Sequence, residues 1–195
     1  KEQLNQARQC TGTHLFKLDK TAHTVELVTD KLQIDLGGVG KGYAVDKMAK
    51  LLGDWSIDTA LIHSGCSSVL ALCAPPDTKG WPITLSSPAG SKQTLACLYL
   101  QDRAVSGSGL QKGRHIIDPR TARPLAGKSA AWACAPDAAI ADALSTAFMV
   151  MSPEQINKYC LNHSDVLAMI VTGERSAERQ KEKILRFGPW EEFLI

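Results

Sequence analysis

The chain has 195 residues, with 22 Lys and Arg against 20 Asp and Glu, so its formal net charge is +2 at pH 7. Hydrophobic residues make up 44% and charged residues 22%, which are globular proportions and exclude a wholly disordered chain. The near-zero charge gives no case for nucleic-acid binding, and no apolar stretch approaches the roughly 18 residues that span a membrane. The length is sufficient for a single domain, or for one lobe of a larger domain.

Six cysteines stand at positions 10, 66, 73, 97, 134 and 160. None forms a C-x-x-C pair, and their spacing matches no zinc motif. We expect them to be small buried hydrophobic residues, while disulfide pairing in an oxidising compartment stays open.

The first segments of the chain predict a helix end followed by short strands. The opening dozen residues have the character of a helix end. Strands are predicted over His14–Leu18, Thr24–Val28 and Leu32–Leu36. Their close spacing indicates antiparallel pairing.

A glycine-rich segment follows, with the sequence DLGGVGKGYAVD at positions 35–46. Four glycines in six positions predict an irregular loop that comes close to a ligand or turns tightly. Asp35 is expected at the end of a strand, facing this loop. The helix after the loop is predicted to bury a face made of Ala44, Met48, Leu51 and Leu52.

The remainder of the chain alternates strands with two further helices. Strands are predicted over Thr59–Ile62, Val69–Cys73, Ile83–Ser86, Leu95–Leu100 and Val166–Val171. One helix is expected from about residue 137 to about 151, and another after the Ser-Pro pair at 152–153. The charge-dense residues 174–186 are predicted to form a solvated face or an exposed loop. This order favours an α+β fold of antiparallel strands with interspersed helices over a doubly wound parallel sheet.

Two segments carry groups that suit a phosphate or a metal. The glycine-rich loop could cradle phosphates with Lys41 supplying positive charge, although a tight turn explains the glycines equally well. In the later helix, Asp142, Ser145 and Thr146 fall on one side, opposite an apolar side that includes Ile140 and Leu144. Such oxygen ligands suit Mg²⁺, but spacing alone favours a polar helix face in water.

Two further segments are weaker signals. Residues 114–121, RHIIDPRT, crowd a histidine, an aspartate and two arginines into one turn, so His115 is a candidate base and the arginines candidate phosphate ligands. Residues 64–68, SGCSS, lie between two apolar strands and form either a binding loop or a simple hairpin connection. Cys66 has no fixed histidine partner in the sequence, which argues against a nucleophilic thiol.

Taken in order, five segments resemble the FAD:protein FMN transferases, the ApbE-type flavin transferase family. They are residues 35–46, 64–68, 104–107, 115–121 and 141–146. Each segment is weak alone, but five in register make the resemblance specific.

The resemblance implies a reaction and a set of ligands. It implies that a divalent metal, normally Mg²⁺, sits on the FAD pyrophosphate while a threonine hydroxyl of a target protein attacks the FMN phosphorus and AMP leaves. By position, the metal ligands would be the Gly38 carbonyl and the side chains of Asp142 and Thr146, with Ser145 beside them. FAD would contact Asp35, Lys41, Gly65, Cys66, Ser67, Ser106 and Ile117, and His115 would serve at the reacting end.

The departures from the family pattern define the alternatives. Family members carry roughly a hundred more residues before this region, within the usual size of a domain, so residues 1–195 are expected to be a flavin transferase-like domain lacking the N-terminal portion. Cys66, Ala122 and the pair Ser108-Gly109 replace a glycine, a glycine and an acidic–aromatic pair. The alternatives are an FAD pyrophosphatase that yields FMN and AMP, and a flavin- or partner-binding module without turnover. The resemblance further implies a bacterial enzyme on the periplasmic side of the inner membrane.

Overall fold

The computed structural model describes residues 2–87, 93–111, 113, 115–173 and 182–195. The predicted α+β fold of antiparallel strands and interspersed helices is confirmed. The described residues form four α-helices, namely α1 (Glu2–Gln9), α2 (Gly40–Asp54), α3 (Ala138–Val150) and α4 (Pro153–Asn162). The entry to α4 is the predicted one, because the Ser152 hydroxyl and the Gln155 side chain form a capping box before Pro153.

The strands run along the whole described chain. In order they are β1 (Phe16–Asp19), β2 (Thr24–Leu27), β3 (Leu61–Ser64), β4 (Ser68–Ala71), β5 (Trp81–Ser86), β6 (Thr94–Leu100), β7 (Arg103–Gly109), β8 (Ile117–Asp118), β9 (Arg123–Pro124), β10 (Lys128–Ala135), β11 (Leu167–Thr172) and β12 (Lys183–Phe187). Six of them form one antiparallel sheet in the order β12-β11-β10-β7-β4-β3, and the others pair as the hairpins β1-β2, β5-β6 and β8-β9.

The sheet separates two hydrophobic clusters. On one face, α2, α3 and α4 pack against side chains such as Leu70, Ala133 and Ile170. On the other face, the β5-β6 hairpin and the C-terminal Trp190 pack against Val105 and Cys134. The two central strands, β7 and β10, therefore carry a helix layer on one side and a hairpin on the other.

Neither β7 nor β10 is among the predicted strands, because both are made of small residues with little strand preference. On the helix side, β10 presents Ala131, Ala133 and Ala135, all fully buried. In β7, a Cβ at Gly107 would come 2.7 Å from the Trp132 Nε1 atom of β10. The small side chains of β7 and β10 leave room for α3 on one face of the sheet and for the Trp132 side chain over Gly107. Tertiary packing therefore outweighs the low strand preference of these residues.

Two predictions about segments are wrong. Residues 32–36 form no strand, and a turn at 37–39 then leads into α2. The glycine loop is shorter than expected, because α2 already begins at Gly40.

The charged stretch at 174–186 is described only in part, because residues 174–181 lie outside the described residues. Lys183–Phe187 forms the edge strand β12, which is exposed along one side, as a solvated face requires, while its Leu185 and Phe187 pack on the core.

The predicted buried face of α2 is also wrong in part. Ala44, Met48 and Leu51 are exposed, and the buried face runs instead through Gly42 and Val45. Ala49 and Leu52 complete this inward face at helical spacing. The rotation of the helix is set by Gly42, which lies directly against the backbone at the start of α3.

No helix in the described ranges combines the length and the apolar character that crossing a membrane requires.

All six cysteines are described and free, with Cys134 and Cys160 buried and Cys66 exposed. Burial raises the pKa of Cys134 and raises that of Cys160 to about 11, so both remain protonated thiols at neutral pH.

Candidate functional site

The candidate site centres on a carboxylate buried between two helices. Asp142 of α3 is 1% exposed, and its two oxygens accept hydrogen bonds from the Lys41 ammonium at 3.0 and 3.3 Å. The backbone N–H of Gly42 donates to Asp142 Oδ2 at 3.0 Å. The interpretation of this side of α3 as a solvated polar face is therefore wrong, because the Asp142 side points into the protein.

Hydroxyl groups continue the polar cluster toward the sheet. The Ser108 hydroxyl of β7 lies 2.8 Å from the Ser145 hydroxyl and 2.9 Å from that of Thr146. Ser145 in turn donates to the Asp142 carbonyl at 2.9 Å. The three α3 residues picked out by their spacing are thus brought together, and Ser108 joins them from a strand that the sequence does not reveal.

The glycine loop closes the cluster from the other side. Asp35 Oδ1 accepts the Gly37 N–H at 2.6 Å, which folds the loop back on itself. The Lys41 ammonium donates to the Gly37 carbonyl at 3.3 Å. A Cβ at Gly38 would lie 3.7 Å from the Thr146 hydroxyl oxygen, so Gly38 and Thr146 face each other across the site.

The donor set fits a hard divalent cation. Gly42 lies in the first turn of α2, where N–H groups have no acceptor within the helix, and Asp142 provides the acceptor instead. No hydrogen bond between described residues uses the Gly38 carbonyl. A carbonyl, a carboxylate and a hydroxyl are oxygen ligands of the kind Mg²⁺ prefers. A positive group, the Lys41 ammonium, already lies among such oxygens. Among the described residues, no group of three or more His, Cys, Asp or Glu side chains is placed to hold a metal ion.

Asp46, for which the sequence predicts no role, fixes the position of α3. The Asp46 carboxylate, on α2, accepts the backbone N–H groups of Ala138 at 2.8 Å and Ala139 at 2.9 Å. It thereby caps the first turn of α3 from a neighbouring helix. Its place at the end of the DLGGVGKGYAVD segment was the available signal.

The far end of α3 is held by a lysine. The Lys128 ammonium donates to the Phe148 carbonyl at 2.7 Å and also to the carbonyls of Met149 and Met151. Burial, with a smaller contribution from nearby Arg120, lowers the pKa of Lys128 to about 8. At pH 7 the group is still charged for the most part, so it stabilises the carbonyl end of the helix.

The SGCSS segment is a hairpin turn that touches the central sheet. Gly65 has φ +59°, a left-handed conformation that favours glycine, and Ser64 pairs with Ser68 across the turn. The Ser67 carbonyl accepts the Gly107 N–H at 2.8 Å, which holds the turn against β7. Cys66 is exposed at the tip. The segment is the turn of the β3-β4 hairpin, and it lies against β7 next to Ser106. Contact of this turn with FAD stays a prediction.

Two serines under this turn have buried hydroxyls without hydrogen bonds. Ser68 of β4 and Ser106 of β7 are opposite each other in register and both fully buried. Neither hydroxyl is hydrogen-bonded to a described residue. Because alternate residues of a strand share a face, Ser106 lies on the same side of β7 as Ser108, toward α3.

His115 and Ile117 lie in and next to the small β8-β9 hairpin. The His115 ring is exposed, and its Nδ1 lies 3.0 Å from the Gly113 carbonyl. Ile117 is exposed and pairs with Pro124 in the small β8-β9 hairpin. Hydrogen bonds between described residues join neither of them to Asp142. Arg114 lies outside the described residues.

The β8-β9 hairpin is fixed by an ion pair. Arg120 donates to both oxygens of Asp118, at 2.9 and 2.8 Å, and to the Val150 carbonyl at 3.1 Å. The hydrogen bonds from Arg120 lower the pKa of Asp118 below its ordinary value. Arg120 therefore links the β8-β9 hairpin, which includes Ile117, to the C-terminal end of α3.

The chain matches a known family over most of its length. The model of the ApbE family matches residues 1–171. Among curated proteins, the FAD:protein FMN transferase of Chlamydia muridarum is 30% identical over 79% of this chain and 50% of its own length. The protein of the same name from Escherichia coli strain K12 is 27% identical over 79% of this chain and 47% of its own length.

Solved structures agree with the sequence comparisons. The flavin transferase ApbE from Vibrio cholerae matches 99% of this chain with a TM-score of 0.83 at 22% identity, which shows the common fold. The ApbE protein of Thermotoga maritima matches 98% of this chain with a TM-score of 0.82 at 27% identity. The matched regions make up 62% and 63% of those two chains. The chain spans about half the length of the curated relatives that it matches.

Proposed function

The chain belongs to the ApbE family, and we propose that it forms the catalytic portion of a transferase that moves FMN from FAD to a threonine of a target protein, with release of AMP. The observation that carries the proposal is the buried Asp142 carboxylate, held between Lys41 and the Gly42 N–H beside the Gly38 carbonyl and three hydroxyl groups. The names of the curated relatives support FAD as donor and a protein as acceptor.

The residues of the cluster suit binding of the FAD pyrophosphate. Asp142, Thr146 and the Gly38 carbonyl would hold Mg²⁺, which when bound neutralises phosphate charge and favours departure of AMP. Lys41 stands in the first turn of α2, where its ammonium and the positive end of the helix both attract phosphate oxygens. Asp35 sets the shape of the loop through Gly37.

The proton of the attacking threonine needs an acceptor. A carbonyl oxygen can only accept, so the 3.0 Å contact with Gly113 places a proton on Nδ1 of His115. In the neutral ring, Nε2 then carries the lone pair and is free to accept the threonine proton. His115 is the candidate base by the family resemblance, and its ring is exposed in the segment that carries Ile117.

The bond changes balance without a covalent enzyme intermediate. The threonine oxygen forms a bond to the FMN phosphorus while the bond from that phosphorus to the bridging oxygen of AMP breaks. The AMP phosphate leaves with the electron pair, and the threonine proton passes to His115. Hydrolysis of FAD would follow the same course with water as the attacking group.

Covalent labelling tests the proposal. The chain would be incubated with FAD, MgCl₂ and total protein of the source organism, and labelled bands would be detected by flavin fluorescence after denaturing electrophoresis. AMP would be measured in the same samples, and the labelled peptide mapped by mass spectrometry. We expect labelling on threonine with AMP release from the wild type and loss of both from Asp142→Asn. Asp137→Asn, a change of an exposed carboxylate next to α3, is the matched control and should leave both intact.

Two results would contradict the proposal. The first is AMP release that is equal with and without protein acceptors and gives no labelled band, because that identifies a pyrophosphatase. The second is undiminished labelling by Asp142→Asn or in EDTA, because the reaction would then depend on neither the proposed carboxylate nor the proposed metal.

A further inference from the structure

The ion pair between Asp142 and Lys41 combines a carboxylate that is fixed in place with an ammonium group that can move. Asp142 is 1% exposed, whereas the Lys41 side chain is 41% exposed. Asp142 is also held through its backbone in the middle of α3 and through Oδ2 by the Gly42 N–H. The Lys41 ammonium sits at the end of a flexible four-carbon chain.

The ammonium occupies oxygen ligands of the type that a metal would use. Its three contacts are the two Asp142 oxygens, at 3.0 and 3.3 Å, and the Gly37 carbonyl, at 3.3 Å. The metal would take the same carboxylate together with the next carbonyl along the loop, that of Gly38. A buried carboxylate needs a counter-ion, and Lys41 provides it in the protein alone.

A cation on Asp142 would disfavour the contact between Lys41 and the same carboxylate. An ion bound to Asp142 would place two positive charges a few ångströms from the ammonium, where their repulsion is strong because the surroundings are partly buried. The same lysine lies in the first turn of α2, beside the end of the helix that attracts anions. When it leaves Asp142, a phosphate oxygen is the natural next partner.

We propose that Lys41 is an exchangeable counter-ion, which holds Asp142 while the site has no metal and passes to an FAD phosphate when the metal takes the carboxylate. The inference rests on the proposed function for the identity of the phosphate ligand. It implies that metal and FAD favour each other's binding, since each removes a cost that the other would meet alone.

The test measures Mg²⁺ binding in the absence of FAD. MgCl₂ would be titrated into the wild type, Lys41→Met and Lys50→Met, with heat and the Mg²⁺-dependent rise in melting temperature as readouts. Lys50→Met removes the same charge from an exposed position of the same helix and is the matched control. We expect Lys41→Met to bind Mg²⁺ at least about tenfold more tightly than the wild type, within the usual range of couplings between sites. Lys50→Met should match the wild type.

The melting curves add a second signature. Without a counter-ion for Asp142, Lys41→Met should melt below the wild type in EDTA and recover more than the wild type when MgCl₂ is added. If Lys41→Met does not fold, Lys41→Gln, which keeps a hydrogen-bond donor without the charge, replaces it. The proposal is overturned if removal of the lysine charge leaves Mg²⁺ affinity unchanged or weakens it, or if no variant binds Mg²⁺.

The proposed function can fail independently. Tighter Mg²⁺ binding by Lys41→Met together with absence of FMN transfer by the wild type would support the exchange and reject the transferase. Normal FMN transfer by the wild type together with unchanged Mg²⁺ affinity in Lys41→Met would do the reverse.

Discussion

Gly42 of α2 lies so close to Ala138 of α3 that a Cβ on the glycine would come 2.1 Å from the Ala138 carbonyl oxygen. The same Cβ would lie 2.7 Å from the Cα of Ala139. Both obstacles are backbone atoms, which cannot rotate away as a side chain can. This contact brings the Gly42 N–H to Asp142 and Asp46 to the start of α3. The absence of a side chain at Gly42 therefore allows the helix contact that positions the polar cluster.

Substitution of Gly42 by alanine should force the two helices apart. We expect Gly42→Ala to lower the free energy of unfolding by about 3 kcal/mol, as overpacking against a rigid backbone does. Gly53→Ala is the matched control, because Gly53 lies in the same helix with nothing within 4 Å of the added Cβ. It should raise stability by about 0.5 kcal/mol. Urea unfolding measures both, and equal effects of the two substitutions would contradict the close contact.

Asp46 should matter more than its place on α2 suggests. Asp46→Ala removes the acceptor of two N–H groups at the start of α3, so we expect a loss of about 1 to 2 kcal/mol in the free energy of unfolding. Asp46→Asn, which keeps one oxygen acceptor, should lose less. Urea unfolding measures the stability of both variants. If both were as stable as the wild type, the capping role of Asp46 would be contradicted.

The outer face of α2 should tolerate charge in this chain. Met48 is 51% and Leu51 58% exposed, so we expect Met48→Glu and Leu51→Glu to change the free energy of unfolding by less than about 0.5 kcal/mol. Val45→Glu, on the fully buried face of the same helix, should prevent folding. A large loss of stability in Met48→Glu would mean that this face is covered.

The two helices show what the sequence could and could not predict. The positions of α2 and α3 follow from their periodicity, and the three oxygen-bearing residues of α3 follow from their spacing. The direction in which each helix faces does not, because both helices are apolar on more than one side. Asp142 points inward only because Lys41 and the Gly42 N–H, a hundred residues earlier in the chain, compensate its charge.

The central strands were beyond prediction for a related reason. In β7 and β10, serine, glycine and alanine are selected by how closely α3 and Trp132 approach, and not by strand preference. The position of Ser108 beside the α3 hydroxyls could therefore not be predicted from the sequence. The placement of His115 and Ile117 relative to Asp142 is likewise a matter of tertiary structure, to which a short motif around Pro119 gives no guide.

The ion pair between Asp118 and Arg120 should make stability depend on acid. The pKa of Asp118 is below its ordinary value in the folded protein, so the unfolded chain binds its proton first as the pH falls. The stabilisation is complete above the unfolded pKa of about 4 and disappears as the pH falls through the lower folded value. Urea unfolding of the wild type and Asp118→Asn should show a stability gap at pH 6 that shrinks toward pH 3. A gap that stays constant would contradict the assignment.

Calorimetric titration of FAD into this chain, with MgCl₂ and again with EDTA, tests the central claim most directly. We expect FAD to bind in the presence of Mg²⁺ and binding to weaken strongly in EDTA, because in the proposed site Asp142, Thr146 and the Gly38 carbonyl would hold the pyrophosphate through the cation. Asp142→Asn in MgCl₂ should behave like the wild type in EDTA. Equal FAD affinity under both conditions, or no binding under either, would contradict the claim that this cluster is the flavin-binding site.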